Sequence, residues 1–400
     1  MFKDKLIDNN LWIDYLNTKL DKEFIPKKEK DELKSFIMDK KYESIVNDIY
    51  NNTYKFATPI KHLINKNYGL KKRIVYTYTD EEMQILKFIA YLLYDYDYLF
   101  SKNLYSFRKK IGVKNAVNSL IKTKNIKNMY GYKLDIKNYF NSINSSILLT
   151  NLKKDIKDKD LFNLFNELLT NEYTIYNNEL IKEEKGSIAG NPLSAFLSNY
   201  YLREMDEYFW NENVFYIRYA DDIILFVNKK EEIDKYKKII YKYLEKYELI
   251  PNTSKENFYD KGDTFEFLGF SFSKGKVDLS KNTIHKIKGK IKRTSRGLRR
   301  WMLRKDASPS GTIKAMNRKY NRKFYGKDNT ELSWKYWFFP TINTSDSLKV
   351  IDNYYQQEIR YLVTGKHNKK NYKKVPYKLL KDCNYKPLVH EYYKLKSNIK

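Results

Sequence analysis

The chain has 400 residues, room for two or three domains at roughly 150 residues each. Hydrophobic residues make up 42% of it, which supports a sizeable buried core and excludes global disorder. The net charge of +28 is concentrated: residues 1–280 hold 46 basic and 41 acidic side chains, a net of +5, whereas residues 281–400 hold 31 and 8, a net of +23. A near-neutral body with a cationic last third suggests one region dedicated to a polyanion. The single cysteine, Cys383, excludes an intramolecular disulfide framework and a Cys-rich zinc site. No apolar run approaches the roughly 20 residues that span a bilayer. The opening MFKDKLIDNN carries acids where a signal peptide needs an apolar stretch. The expectation is a soluble, cytoplasmic protein with no membrane partner.

In chain order, residues 1–55 read as helices, because Leu11, Trp12, Tyr15, Leu16 and Leu20 recur at helical spacing. Residues 71–78 read as a short basic strand. A helix over 80–98 follows, with Asp80, Glu81 and Glu82 suited to the positive end of its dipole. Residues 131–136 read as a strand and 191–210 as a helix. Residues 213–227 are two apolar runs around Asp221-Asp222, a hairpin signal. An amphipathic helix is expected over 231–249, and a second hairpin over 264–277 with Lys274-Gly275 at its turn. From Lys281 the pattern becomes helical and basic, so composition puts a domain boundary near 278–283.

The turn Tyr219-Ala220-Asp221-Asp222 is the sharpest local feature. Two adjacent carboxylates repel, and a divalent cation relieves that repulsion. Hard Mg²⁺ prefers one or two carboxylates plus phosphate and water. The competing reading is a solvated turn, since Asp is common in hairpins. Asp135, at the end of the apolar strand 131–136, is a third acid, with strand-end capping as its competing role. One acid from each element could hold two metal ions roughly 4 Å apart, activating a hydroxyl and stabilising a leaving pyrophosphate.

Together these residues resemble the palm of reverse transcriptases. Asp135 with Tyr139-Phe140 looks like the first catalytic motif. Residues 186–194 (GSIAGNPLS), with Leu197 and Asn199, look like the second, and Tyr219-Ala220-Asp221-Asp222 matches the third. Leu249, Asn252 and Lys255 are similar to the fourth, and Phe267-Leu268-Gly269-Phe270 to the primer-grip hairpin. Lys71-Lys72-Arg73-Ile74 and Tyr105-Ser106-Phe107-Arg108 look like fingers motifs. The chain departs from many relatives at Ile188 and Ala189, where those carry Pro and Gln. That bears on template and nucleotide contact.

The resemblance implies an α+β right-hand polymerase. Its parts would be an N-terminal helical segment (1–55), fingers and palm with an antiparallel sheet (56–278), a basic helical thumb (279–345) and a C-terminal helical extension (346–400). It implies an RNA-directed DNA polymerase that extends a 3′-hydroxyl with dNTPs on an RNA template, using two Mg²⁺ ions or Mn²⁺ in their place. Asp135, Asp221 and Asp222 would be catalytic and, with Ile136, the metal ligands. Phe140 would be a steric gate under the sugar, with Tyr139 as the runner-up and a core aromatic as the competing role. Arg73 and Lys71 would bind the triphosphate, Lys255 would donate a proton to pyrophosphate, and Gly190 would let backbone approach nucleotide or template. Phe267, Leu268 and Gly269 would grip the primer.

Residues 281–305 hold 11 Lys or Arg and no acid. Lys288, Lys292, Arg293, Arg296, Arg299, Arg300 and Arg304 are therefore expected on duplex phosphates, giving salt-sensitive affinity without sequence readout. The resemblance is greatest to bacterial stand-alone enzymes, retron-like or group II intron-like, some tied to antiphage defence. It implies a DNA primer or product and, as a plausible partner, a dedicated non-coding RNA. Two alternatives stand: a related nucleotidyltransferase making RNA or adding nucleotides without template, and a non-catalytic, maturase-like RNA-binding protein.

Overall fold

The computed structural model describes residues 1–22, 25–66, 71–183, 189–326 and 333–397. The chain forms two compact units, residues 1–116 with 128–261, and residues 117–127 with 262–400. Helices and mainly antiparallel strands make an α+β fold, with one parallel pairing through Ile60 and Ile175. The strands are β1 (Ile60–Lys66), β2 (Lys71–Thr77), β3 (Tyr130–Asp135), β4 (Tyr173–Tyr176), β5 (Glu179–Lys182), β6 (Phe215–Tyr219), β7 (Asp222–Val227), β8 (Asn257–Tyr259), β9 (Phe265–Phe267), β10 (Phe270–Ser273) and β11 (Lys276–Leu279).

In the first unit, one sheet runs β6-β7-β3-β8 and another β2-β1-β4-β5. The first is covered by helices, and its strands β3, β6 and β7 are apolar along most of their length. Tyr132, Leu134, Ile223, Leu225 and Val227 join the helical residues Phe196, Leu197, Met205 and Phe209 in one core. A strand buried on both faces loses the period-2 alternation, which is why β7 reads as a continuous apolar run. Among the N-terminal helices Trp12 is fully buried and stacked on Phe88 at 3.8 Å and Tyr42 at 4.3 Å.

Two expected helices are shorter than their patterns. The 80–98 segment is α-helical over Asp80–Leu92 and tightens to 3₁₀ over Leu93–Leu99. Its start is fixed by a capping box between Thr79 and Glu82. The 191–210 segment divides into helices Ser194–Tyr201 and Arg203–Asn211. Asn191 and Pro192 stay outside because the Asn191 side chain accepts the Leu193 amide at 2.9 Å, forming a turn instead of a first helical residue.

The second unit contains the three-stranded sheet β9-β10-β11, the 25-residue helix Lys281–Lys305 and helices Pro309–Tyr325 and Asp346–Thr364. Its long stretch starts at Gly262, not near 278–283. The reason is packing. Strands β9–β11 pair with one another, the Ser280 amide donates to the Gly269 carbonyl at 2.9 Å, and Asn343 bonds Val277 from both sides. The composition shift at Lys281 marks a change of charge inside one packed body. The expected 264–277 hairpin is a three-stranded meander with two left-handed turns, at Leu268-Gly269 and Lys274-Gly275.

Among the described residues, no helix is long and apolar enough to cross a membrane.

Candidate active site

The sheet brings the acids of two distant sequence segments together. Strand β3 pairs with β7 so that Asp135 faces Asp222 across the ladder. The Ile136 amide donates to the Asp221 carbonyl at 3.1 Å, closing the same end of the sheet. Burial pushes the Asp222 carboxyl up to about 6, and the Asp221 and Asp135 charges push the same way, while Lys133 and Lys255 oppose it. Three carboxylates therefore share one electrostatic neighbourhood.

The fourth motif closes on the first. The Asn252 amide donates to the Asp135 carbonyl at 2.8 Å, and Asn252 Nδ2 reaches Asp135 Oδ1 at 2.9 Å. Lys255 Nζ lies 2.9 Å from both Asp135 carboxylate oxygens. Among the described residues, no group of three or more His, Cys, Asp or Glu stands ready to hold a metal ion. The ammonium of Lys255 occupies Asp135. The donor set is nonetheless all hard oxygen, and a divalent cation would offset the burial and the neighbouring carboxylate charges that raise Asp222, so these residues fit Mg²⁺ or Mn²⁺ chemically.

Beneath the acidic turn lies a buried polar lattice that sequence reasoning did not assign. Ala220 sits at φ +55°, a left-handed conformation that costs an L-residue energy unless its surroundings hold it. The Ser106 hydroxyl accepts the Ala220 amide at 3.0 Å and donates to Asn199 Oδ1 at 2.8 Å. Arg218 and Asp206 are both fully buried and form a two-pronged ion pair, Nε to Oδ1 at 2.8 Å and Nη2 to Oδ2 at 2.5 Å. The same guanidinium donates to the carbonyls of Ala220 at 3.3 Å and Asn199 at 3.0 Å. Tyr216 donates to Asp206 as well, at 3.0 Å. The signal was present: an Arg in the apolar strand Phe215–Tyr219 must find a buried acid.

The aromatics separate into two roles. Tyr139 is buried and its hydroxyl donates to the Ser198 carbonyl at 2.5 Å, the setting of a core residue. Phe140 is half-buried and touches Phe107 at a centroid distance of 6.1 Å. Arg73 is exposed on β2. That strand meets the site's surroundings through Asn141, which donates to the Ile74 carbonyl at 3.5 Å.

Gly190 is required by the packing of its own backbone. At φ +100° a Cβ there would lie 2.6 Å from the Tyr76 carbonyl oxygen, and Tyr76 donates its amide to Ala189 at 2.7 Å. The close approach seen here is to the backbone of β2. Residues 186–188 of the second motif lie outside the described residues, as does the side chain of Lys71.

In the second unit, Phe267 is buried, and Leu268 and Gly269 form the β9–β10 turn, with Gly269 also accepting the Thr283 hydroxyl at 2.9 Å. Along helix Lys281–Lys305, Lys292, Arg293, Arg296, Arg300 and Arg304 are exposed. Arg299 departs from the expected phosphate-facing set. Its guanidinium donates to the carbonyls of Leu362 at 3.1 Å and Val363 at 3.0 Å, satisfying the end of helix Asp346–Thr364. Lys288 lies over the Tyr354 ring at 5.3 Å, turned toward the same helix.

An antiparallel sheet that presents facing acids on adjacent strands, joined to a tight Asp-Asp turn, defines an α+β protein of the polymerase class. The family model described as reverse transcriptase (RNA-dependent DNA polymerase) matches residues 64–272, and the chain belongs to that family. No curated protein matches. Among solved structures, apo telomerase from Candida tropicalis is similar at 13% identity and TM-score 0.47, over 90% of this chain and 72% of that one. Telomerase from Candida albicans, in complex with a TWJ fragment of telomeric RNA, is 12% identical with TM-score 0.44, over 90% and 70%. The Candida tropicalis enzyme truncated from its C-terminal domain gives 16% and 0.44, and this chain spans 60% of its length.

Proposed function

We propose that this chain is an RNA-directed DNA polymerase that extends a 3′-hydroxyl with dNTPs on an RNA template. The observation that carries the reading is the pairing of Asp135 with Asp222 across β3 and β7, inside the span that matches the family. Asp135, Asp221 and Asp222, with the Ile136 backbone, would hold the divalent cations, Mg²⁺ by the hardness of the donors. Bound there, such cations would acidify the attacking hydroxyl and neutralise the pyrophosphate.

The chain's own residues supply the rest. Lys255, already paired with Asp135, is the general acid for the leaving pyrophosphate. Arg73 binds the triphosphate through its forked guanidinium. Phe140 excludes a 2′-hydroxyl and so favours dNTPs over rNTPs, against the RNA-synthesising alternative. The exposed cations of helix Lys281–Lys305 bind nucleic-acid phosphates without reading sequence. Extending the reading by resemblance to bacterial stand-alone enzymes, the template is a bound non-coding RNA and the setting antiphage defence. Sequencing the nucleic acid that copurifies with the protein tests that extension.

The direct test of the activity is incorporation of dNTPs on an RNA template annealed to a DNA primer. The double variant Asp221→Ala, Asp222→Ala is expected to lose incorporation and keep RNA binding. Incorporation equal to wild type would remove the carboxylate site, and loss of RNA binding with it would mean that the variant is unfolded.

A further inference from the structure

Phe107 is held in a conformation its residue type disfavours, and both of its neighbours are anchored. It sits at φ +54°, in the left-handed region where a non-glycine residue is strained. On one side, Ser106 is fully buried. Its hydroxyl bridges Ala220 and Asn199, and its carbonyl accepts Asn199 Nδ2 at 2.7 Å. On the other side, Arg108 grips Asp97 with two nitrogens, at 2.8 and 2.7 Å, and donates to the carbonyls of Ser101 and Leu104. Both residues flanking Phe107 are thus anchored by hydrogen bonds.

The ring that this conformation projects is 40% exposed, although it is one of the larger apolar side chains in the first unit. It is not idle at the surface. Its centroid lies 6.1 Å from Phe140 in edge-to-face geometry and 6.3 Å from Tyr219 at the start of the acidic turn. An aromatic that touches two rings at these distances limits how each can swing. Phe140 has Tyr139 behind it at 5.7 Å, and Tyr139 is fixed by its bond to Ser198. Phe140 thus has one ring contact from Tyr139 and another from Phe107.

We infer that Phe107 is a positioning residue for sugar selection: it holds the Phe140 ring in the orientation that rejects a ribose 2′-hydroxyl. This rests on the polymerase reading and on Phe140 as the gate. The strained backbone is retained because it aims the ring, and backbone strain of this kind collects at functional sites.

The experiment measures kcat and KM for dCTP and CTP opposite a template guanosine, on an RNA template with a DNA primer. In Phe107→Ala the preference for dCTP over CTP is expected to fall about tenfold, through a lower KM for CTP, with Phe107→Tyr restoring it. Phe107→Gly removes the ring while relieving the left-handed strain, so it reads the same effect if the alanine variant folds poorly. A parallel loss for dCTP and CTP, leaving the ratio at the wild-type value, would show a merely structural residue and overturn the inference. Wild type without incorporation would instead sink the polymerase reading. Wild type with incorporation, but with a preference insensitive to Phe140→Ala, would remove the gate and this inference with it.

Discussion

Lys255 and Asp135 are 120 residues apart in sequence, yet the lysine ammonium meets both oxygens of the aspartate at 2.9 Å. The lysine is the more exposed partner, with 59% of its side chain accessible against 11% for the aspartate. A cation arriving at Asp135 must compete with that ammonium, and releasing the lysine frees a donor for the leaving group. On the proposed mechanism the pair would link metal affinity to acid catalysis.

Replacing Lys255 by Met should therefore act in two directions. The variant should bind Mg²⁺ at lower concentration, because the competitor is gone, and should turn over more slowly by about 10²-fold, the usual size of a lost general acid. A Mg²⁺ titration followed by thermal melting, alongside kcat for dNTP incorporation, checks both. An unchanged Mg²⁺ midpoint and unchanged kcat would dissolve the link.

Asp222 makes stability depend on pH. Burial, reinforced by the Asp221 and Asp135 charges, holds its folded-state pKa at about 6 against an ordinary value of 3.8. Between those values the folded chain binds more protons than the unfolded one, so stability falls as pH rises through this window and levels off above it. At roughly 1.4 kcal/mol per pKa unit, the cost at neutral pH is about 3 kcal/mol at most. In the presence of chelator, Asp222→Asn should be more stable than wild type at pH 7.5, with the gap closing towards pH 4. Urea denaturation at several pH values measures it, and a gap independent of pH would contradict the assignment.

The Arg218–Asp206 pair predicts strong non-additivity. Removing either partner alone leaves a buried charge, which typically costs about 3–5 kcal/mol. Arg218→Met and Asp206→Leu should each destabilise by that order, and the double variant by clearly less than their sum. Because Arg218 also holds the Ala220 carbonyl, both single variants should lose nucleotide incorporation as well. Additive losses in denaturant midpoints would show that the pair is not coupled.

Two adjacent arginines on helix Lys281–Lys305 should behave differently. Arg300 is exposed, and its reversal to Glu should weaken nucleic-acid binding and reduce the salt slope by about one. Arg299 caps helix Asp346–Thr364, so Arg299→Glu should lower the melting temperature. Its slope should stay that of wild type. Binding titrations at several salt concentrations separate the two, and equal slopes for both variants would refute the division.

Much of the site was legible in the residues themselves. Asp135, Asp221 and Asp222 stand out because acids ending apolar strands are conspicuous against a period-2 or continuous apolar pattern. The β6–β7 hairpin, the strand over 131–136 and the basic helix after Lys281 follow from local periodicity and composition, which act over a few residues. These features depend on neighbours in sequence, so local pattern is enough to place them.

The tertiary structure decided what depends on pairings across long separations. Lys255 is one of 77 Lys and Arg side chains, and only the turn before β8 brings it to Asp135. Arg299 looked like a phosphate ligand until helix Asp346–Thr364 presented its open carbonyls. Gly190 meets the backbone at Tyr76, a contact that only the packing of β2 creates. In each case the charge or the small residue is visible in the sequence, but its partner is chosen by which strands and helices pack together. That choice is made by burial of the core, a non-local energy that no short window of sequence contains.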